Sequence, residues 1–166
     1  MTNGTLLVVV DESQASKRAV TYVAKIVSRQ RDLRICLVHI LPRLPPRWLE
    51  FRGAENPQER RLHARLKDNQ QRWLAGAKKT ARRALGMATA TLREAGVSAR
   101  ALDVQFSEGV EELGAAERIL ELARARRCDT VVVGRESLSW FRELMGGNLA
   151  AELVRRGKGY TIWVVE

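Results

Sequence analysis

Two short apolar runs stop abruptly, one at a carboxylate and one at a glycine. Leu6-Leu7-Val8-Val9-Val10 halts at Asp11, and Thr130-Val131-Val132-Val133 halts at Gly134. Each is too short for a helix and too evenly apolar for a strand with one wet face. They read as central strands of a parallel sheet covered on both sides. A chain that must bury two such strands has to supply helices to cover them, and the stretches between carry that pattern.

After the first run, Ser13 is a suitable N-cap. Ala15, Ala19, Val23 and Ile26, with Tyr22 and Val27 beside them, then form one apolar face of a helix to about Gln30. Leu33 to Leu41 is a second strand, stopped by Pro42. Residues 42 to 58 hold all four prolines, with Arg43, Arg47 and Arg52 among them, and read as an exposed loop from which Trp48 and Phe51 pack back.

From about Gln58 to Ala95 a 3.6-residue register runs through Leu62, Leu66, Trp73, Ala77, Ala81, Ala84, Ala88 and Leu92. That is long for a globular helix, so it is expected either to break near Gly76 or to project, with Gly96 as its terminator. Ala99 to Phe106 alternates, as a strand near a sheet edge does. Ala116 to Arg126 and Gly147 to Arg156 read as helices, and Tyr160 to Val165 as the last strand. The order βαβαβαβαβ implies a parallel sheet with helices on both faces.

In such sheets ligands sit beyond the carboxyl ends of strands where the strand order reverses. Asp11 and Gly134 both stand at carboxyl ends and are candidates for one site. Gly146-Gly147-Asn148, opening the last helix, reads as a phosphate cradle, where N–H groups and the helix dipole favour an anion.

With 166 residues and 45% apolar content, one domain with a substantial core is expected. No apolar run approaches the ~20 residues of a membrane span. The chain passes from Met1-Thr2-Asn3-Gly4 straight into its first strand without a signal core, so the expected location is cytoplasmic. Cys36 and Cys128 read as small buried hydrophobes. His39 and His63 have no serine–acid or cysteine partner nearby, and no ligand spacing suggests a metal site.

Val10-Asp11-Glu12-Ser13-Gln14-Ala15-Ser16-Lys17-Arg18-Ala19 resembles the Asp-x-Ser-x-x-Ser-x-x-Ala opening of the universal stress protein family. Ala116 to Gly134 and Gly147 to Val165 are similar to that family's last two units, and residues 42–75 are the least alike. The resemblance implies a single flavodoxin-like (Rossmann-like) domain over 1–166, with a variable loop and helix extension at about 42–75. Its five-stranded sheet would have the order 3-2-1-4-5, and two copies would join as a homodimer through the last strand, 160–165.

The resemblance further implies a stress-response module, possessing at most slow ATP hydrolysis, with ATP (and Mg) or another adenine nucleotide as ligand. Asp11 and the backbone near Ile40 would face adenine and ribose. Gly134, Arg135, Ser137, Gly147 and Asn148 would face the phosphates. The family's ATP-binding pattern, Gly-x-x-Gly, nine residues, then Gly and Ser or Thr, is met at Gly134 and Gly147. It departs at Ser137, in place of the second glycine, and at Asn148, in place of the hydroxyl residue. A serine held at a left-handed position there costs roughly 1–2 kcal/mol, about a tenfold loss of affinity. Glu136 brings a negative charge to the same loop.

Two alternatives stand beside this. One is a nucleotide-free dimeric module of the same fold that meets protein partners, favoured by the substituted loop. The other is nucleic-acid binding, suggested by a net charge of +10 and pI near 10.6. Arg61, Arg65, Arg72, Lys79 and Arg83 fall on one face of the long helix, against the plainer reading of a solvated surface.

Overall fold

The computed structural model describes residues 4–27, 33–42, 44, 56–107, 114–138 and 148–166. Its strands are β1 (Thr5–Val9), β2 (Arg34–Ile40), β3 (Leu102–Ser107), β4 (Thr130–Gly134) and β5 (Thr161–Val165). The intervening helices are α1 (Gln14–Val27), α2 (Pro57–Glu94), α3 (Ala115–Ala125) and α4 (Leu149–Arg156). All strand pairs are parallel, and the sheet order is β3-β2-β1-β4-β5. The expected flavodoxin-like α/β architecture is therefore the one observed.

Strand polarity and right-handed crossovers sort the helices into two layers. Leu6, Val8, Ile35, Leu37 and Val132 pack under α1 and α2. Leu7, Val9, Val38, Val131 and Val133 pack under α3 and α4. β1, β2 and β4 thus bury both faces, which is why their sequences are continuous apolar runs. The edge strands differ: Asp103 and Gln105 of β3 hold the Arg126 guanidinium beyond α3. Cys36 and Cys128 both lie in the core, where burial pushes their thiols up to about 12 and about 11.

The long helical register is one unbroken helix of 38 residues. At 1.5 Å per residue it is about 57 Å long. Asn56 caps it, its side chain accepting from the Glu59 N–H at 2.9 Å, and Pro57 occupies the first turn. Gly76 does not break it, because the register of the flanking apolar residues is continuous and a lone glycine costs only about 1 kcal/mol. Gly96 ends it with a φ of 93°, and the Val97 N–H reaches back to the Leu92 carbonyl at 3.0 Å.

Burial along α2 is uneven. Its buried residues are Ala81, Ala84, Leu85, Ala88 and Leu92, all in the C-terminal half. The N-terminal half projects as an arm, with Leu62 47% exposed. Leu92→Ala is expected to cost about 2–5 kcal/mol, whereas Leu62→Ala should stay within about 1 kcal/mol of wild type. Urea unfolding of the two variants checks this difference.

Candidate functional site

β1 and β4 are hydrogen-bonded neighbours, with Leu6 opposite Thr130 and Val8 opposite Val132. β2 lies on the other side of β1, while β5 continues beyond β4. The chain therefore leaves β1 toward one side of the sheet and leaves β4 toward the other. That is the crevice where open α/β sheets take ligands.

Asp11 lies buried at the mouth of this crevice, with both carboxylate oxygens in use. Oδ1 accepts the Ser13 N–H at 2.8 Å, closing an Asx turn. Oδ2 accepts the Leu138 N–H across the crevice. The Asp11 N–H donates to the buried Ser16 hydroxyl at 2.9 Å. Ser13 is the helix cap expected, its Oγ accepting the Ser16 N–H at 3.1 Å. Asp11 is thus more than a local turn residue, because it clasps the loop after β4 to the loop after β1.

The facing wall is a tight turn, with the Ser137 N–H donating to the Gly134 carbonyl at 3.0 Å. Gly134 is required there. A Cβ on it would stand 2.5 Å from the Ala15 carbonyl carbon and 2.6 Å from its oxygen. The bare backbone lets the start of α1 approach β4 directly. Ser137 is 4% exposed, and its Oγ is buried without a hydrogen-bond partner among the described residues.

Ser137 does not occupy the left-handed position expected for it. That conformation falls one residue later, on Leu138, with φ 55°, so the strain argued for serine belongs to leucine. Leu138 accepts it because its side chain is fully buried in the core beneath α4 and its N–H is held by Asp11.

The other expected residues spread around the crevice. Ile40 ends β2 with its side chain in the core, so only its backbone can face a ligand. Arg135 is exposed; its N–H donates to the Val165 carbonyl at 2.8 Å and its guanidinium pairs with Glu166, on the β5 side. Asn148 caps α4, Oδ1 accepting the Ala150 N–H at 2.9 Å and the Ala151 N–H at 3.4 Å. Its Nδ2 donors are not needed for that cap. Gly147 lies outside the described residues, as do Trp48, Phe51 and Gly146.

Two residues without a site role in the sequence reading join this group. Ser16 was visible as the second serine of the opening motif. Leu138 carries no sequence signal, since a left-handed leucine is set by its surroundings. His39, at the end of β2, is buried with its Nδ1 unpartnered among the described residues. Burial lowers its pKa below the ordinary 6.5, outweighing the opposing pull of Glu12 and Asp11. A cavity of about 340 Å³ also opens from Asp11 and Glu12 along the seam between α1 and α2, past Lys17, Val20, Arg83 and Met87. Its size is that of a small-ligand pocket.

Fold and crevice together define a doubly wound α/β protein with a crevice at the strand-order switch. The universal stress protein family model matches residues 2–161, and the chain belongs to that family. No curated protein matches it. A universal stress protein family structure from Burkholderia pseudomallei superposes with a TM-score of 0.61 at 20% identity, covering 98% of this chain and 96% of that one. The Arabidopsis thaliana family structure with AMP bound gives 0.61 at 18% identity, covering 98% and 90%. The Archaeoglobus fulgidus universal stress protein in complex with dAMP gives 0.57 at 15% identity, covering 100% of both chains.

Gly134→Ala is expected to destabilise the fold by about 2–3 kcal/mol, because the new methyl meets backbone rather than a movable side chain. Gly96 faces open space yet needs its positive φ, so Gly96→Ala should cost about 1–2 kcal/mol through conformation alone. Paired thermal melts of both variants test whether close approach is the larger effect.

Proposed function

We propose that this protein is a stress-type regulatory module whose ligand is an adenine nucleotide, taken up where β1 and β4 release the chain. The observation that carries this reading is the junction of Asp11 with the Gly134–Leu138 turn, beside a buried Ser137 hydroxyl that lacks a partner among the described residues. A carboxylate accepts up to about four hydrogen bonds. Asp11 has capacity left for a ribose hydroxyl after serving Ser13 and Leu138. The Ser137 hydroxyl and Asn148 Nδ2 are the donors available to phosphate oxygens, and Gly147 is proposed as a further backbone donor. Three family structures containing cAMP, AMP or dAMP support the nucleotide class. ATP with Mg is the fuller ligand that the glycine spacing suggests.

A second reading, a nucleotide-free module acting on protein partners, is favoured by one feature of the loop. The N–H groups of Arg135, Ser137 and Leu138 are already spent on Val165, Gly134 and Asp11. A phosphate gains fewer backbone donors here than a free cradle would offer. The two readings separate in melting curves with millimolar AMP and ATP, with and without Mg. Under the first, wild type rises in Tm with ligand concentration, and Asp11→Ala abolishes the rise. Under the second, wild type is unmoved and only Ser137→Gly with Asn148→Ser confers a shift.

We also propose a homodimer through β5. This strand ends the sheet and carries Val164 at 40% exposure. Apolar surface on a sheet edge is a template for pairing. Sedimentation velocity should give twice the 18.7 kDa chain mass. Val164→Lys should shift the protein to monomer, and a monomeric wild type would overturn this assembly.

A further inference from the structure

The nucleotide reading leaves the outward face of α2 without a task, and this helix holds most of the protein's excess charge. Between Pro57 and Arg83 stand nine lysines and arginines against Glu59 and Asp68. This stretch, which runs from the projecting half into the anchored half, therefore carries +7 of the chain's +10.

The charges are not spread evenly around the helix. At about 100° per residue, Arg61, Arg65, Arg72, Lys79 and Arg83 fall within about 40° of one another. The anchoring residues Ala81, Ala84, Leu85, Ala88 and Leu92 centre on the opposite side. The five cations consequently lie on the side away from the sheet, Arg83 also bordering the cavity beside α1, and all five are exposed. Because the helix is unbroken, they form a straight stripe about 33 Å long.

Arg72 pairs with Asp68 at 2.9 Å, an exposed contact that a stronger anion displaces at little cost. Arg61, Arg65, Lys79 and Arg83 have no acidic partner among the described residues. Lys78 and Arg82, flanking the stripe, lie 5.8 and 5.9 Å from the Phe106 ring of β3 and steady the helix against the sheet edge.

A rigid cationic stripe of this length suits an extended polyanion of high charge density. We propose that the outward face of α2 binds the phosphate backbone of a nucleic-acid duplex without reading its sequence. Duplex DNA presents a charge about every 1.7 Å, and the stripe spans roughly one of its ~34 Å turns. A single strand fits less well, since its binders offer exposed aromatic rings for base stacking. The stripe has none: Trp73 lies on the apolar side and is half-buried. The same half-burial of Leu66, Trp73 and Leu74 argues against a membrane surface, which needs a free apolar face below the charged one.

The test is fluorescence anisotropy of the full chain with labelled DNA and RNA duplexes of about two turns, beside single strands and anionic phospholipid vesicles. Five contacts at about −0.9 each give a log–log salt slope near −4.5 on DNA, and about a 500-fold loss of affinity between 0.05 and 0.2 M salt. The triple variant Arg61→Gln, Arg65→Gln, Arg72→Gln should flatten that slope to about −2. A control, Arg18→Gln, Arg124→Gln, Lys158→Gln, removes the same charge elsewhere and should leave the slope near the wild-type value. Circular dichroism melts confirm that both triple variants are folded. No duplex binding at 0.05 M salt overturns the proposal. So does equal weakening by the two triple variants, tighter binding to single strands, or stripe-dependent binding to vesicles alone.

Discussion

The shape of the crevice depends on one hydrogen bond between residues far apart in the chain. The Asp11 carboxylate, released by β1, holds the Leu138 N–H of the loop released by β4. Parallel pairing of the two strands brings the loops near each other, but pairing alone does not fix their shape. The carboxylate does, because a buried anion that already serves the Ser13 N–H cannot give up its second donor cheaply. Leu138 can then stay left-handed, its side chain sunk under α4, and Ser137 is held inside the turn.

The glycine of this turn works by subtraction. Gly134 leaves out the one carbon that would separate β4 from the first turn of α1. The N-terminus of α1 and the turn after β4 therefore meet at backbone distance, with Ser13, Ser16 and Asp11 sharing the donors between them. The core beneath is ordinary apolar packing on both faces of the sheet. The loops above are polar because their backbone groups, no longer paired in the ladder, must find partners in side chains.

How much of this could be read in the sequence varied with the kind of signal. Buried strands announced themselves through continuous apolar runs, and the alternation of strand and helix carried the topology. The expected starts and stops at Ser13 and Gly96 were correct because caps are local chemistry. The fate of Gly76 was undecided in the sequence, since a lone glycine is tolerated or not according to what packs beside it. The conformation of Ser137 was misjudged by one residue. A family spacing locates a turn, but which residue takes the left-handed angle is decided by tertiary partners, here Asp11 and the core beneath α4. Arg135, whose type suits a phosphate, also pairs with Glu166 at the surface, a contact that spacing cannot reveal.

The uneven anchoring of α2 has a bearing on how such a protein can diverge. Changes of length in the outer half fall before the first fully buried residue of the helix, Ala81, so they leave the sheet and the crevice alone. They do rotate whatever lies further out about the helix axis. An insertion of about 18 residues, five whole turns, restores the original facing, while one of two residues turns it to the far side. The arm is therefore free to grow or shrink in quanta set by helical pitch, and its electrostatic role can drift independently of the chamber at the strand ends.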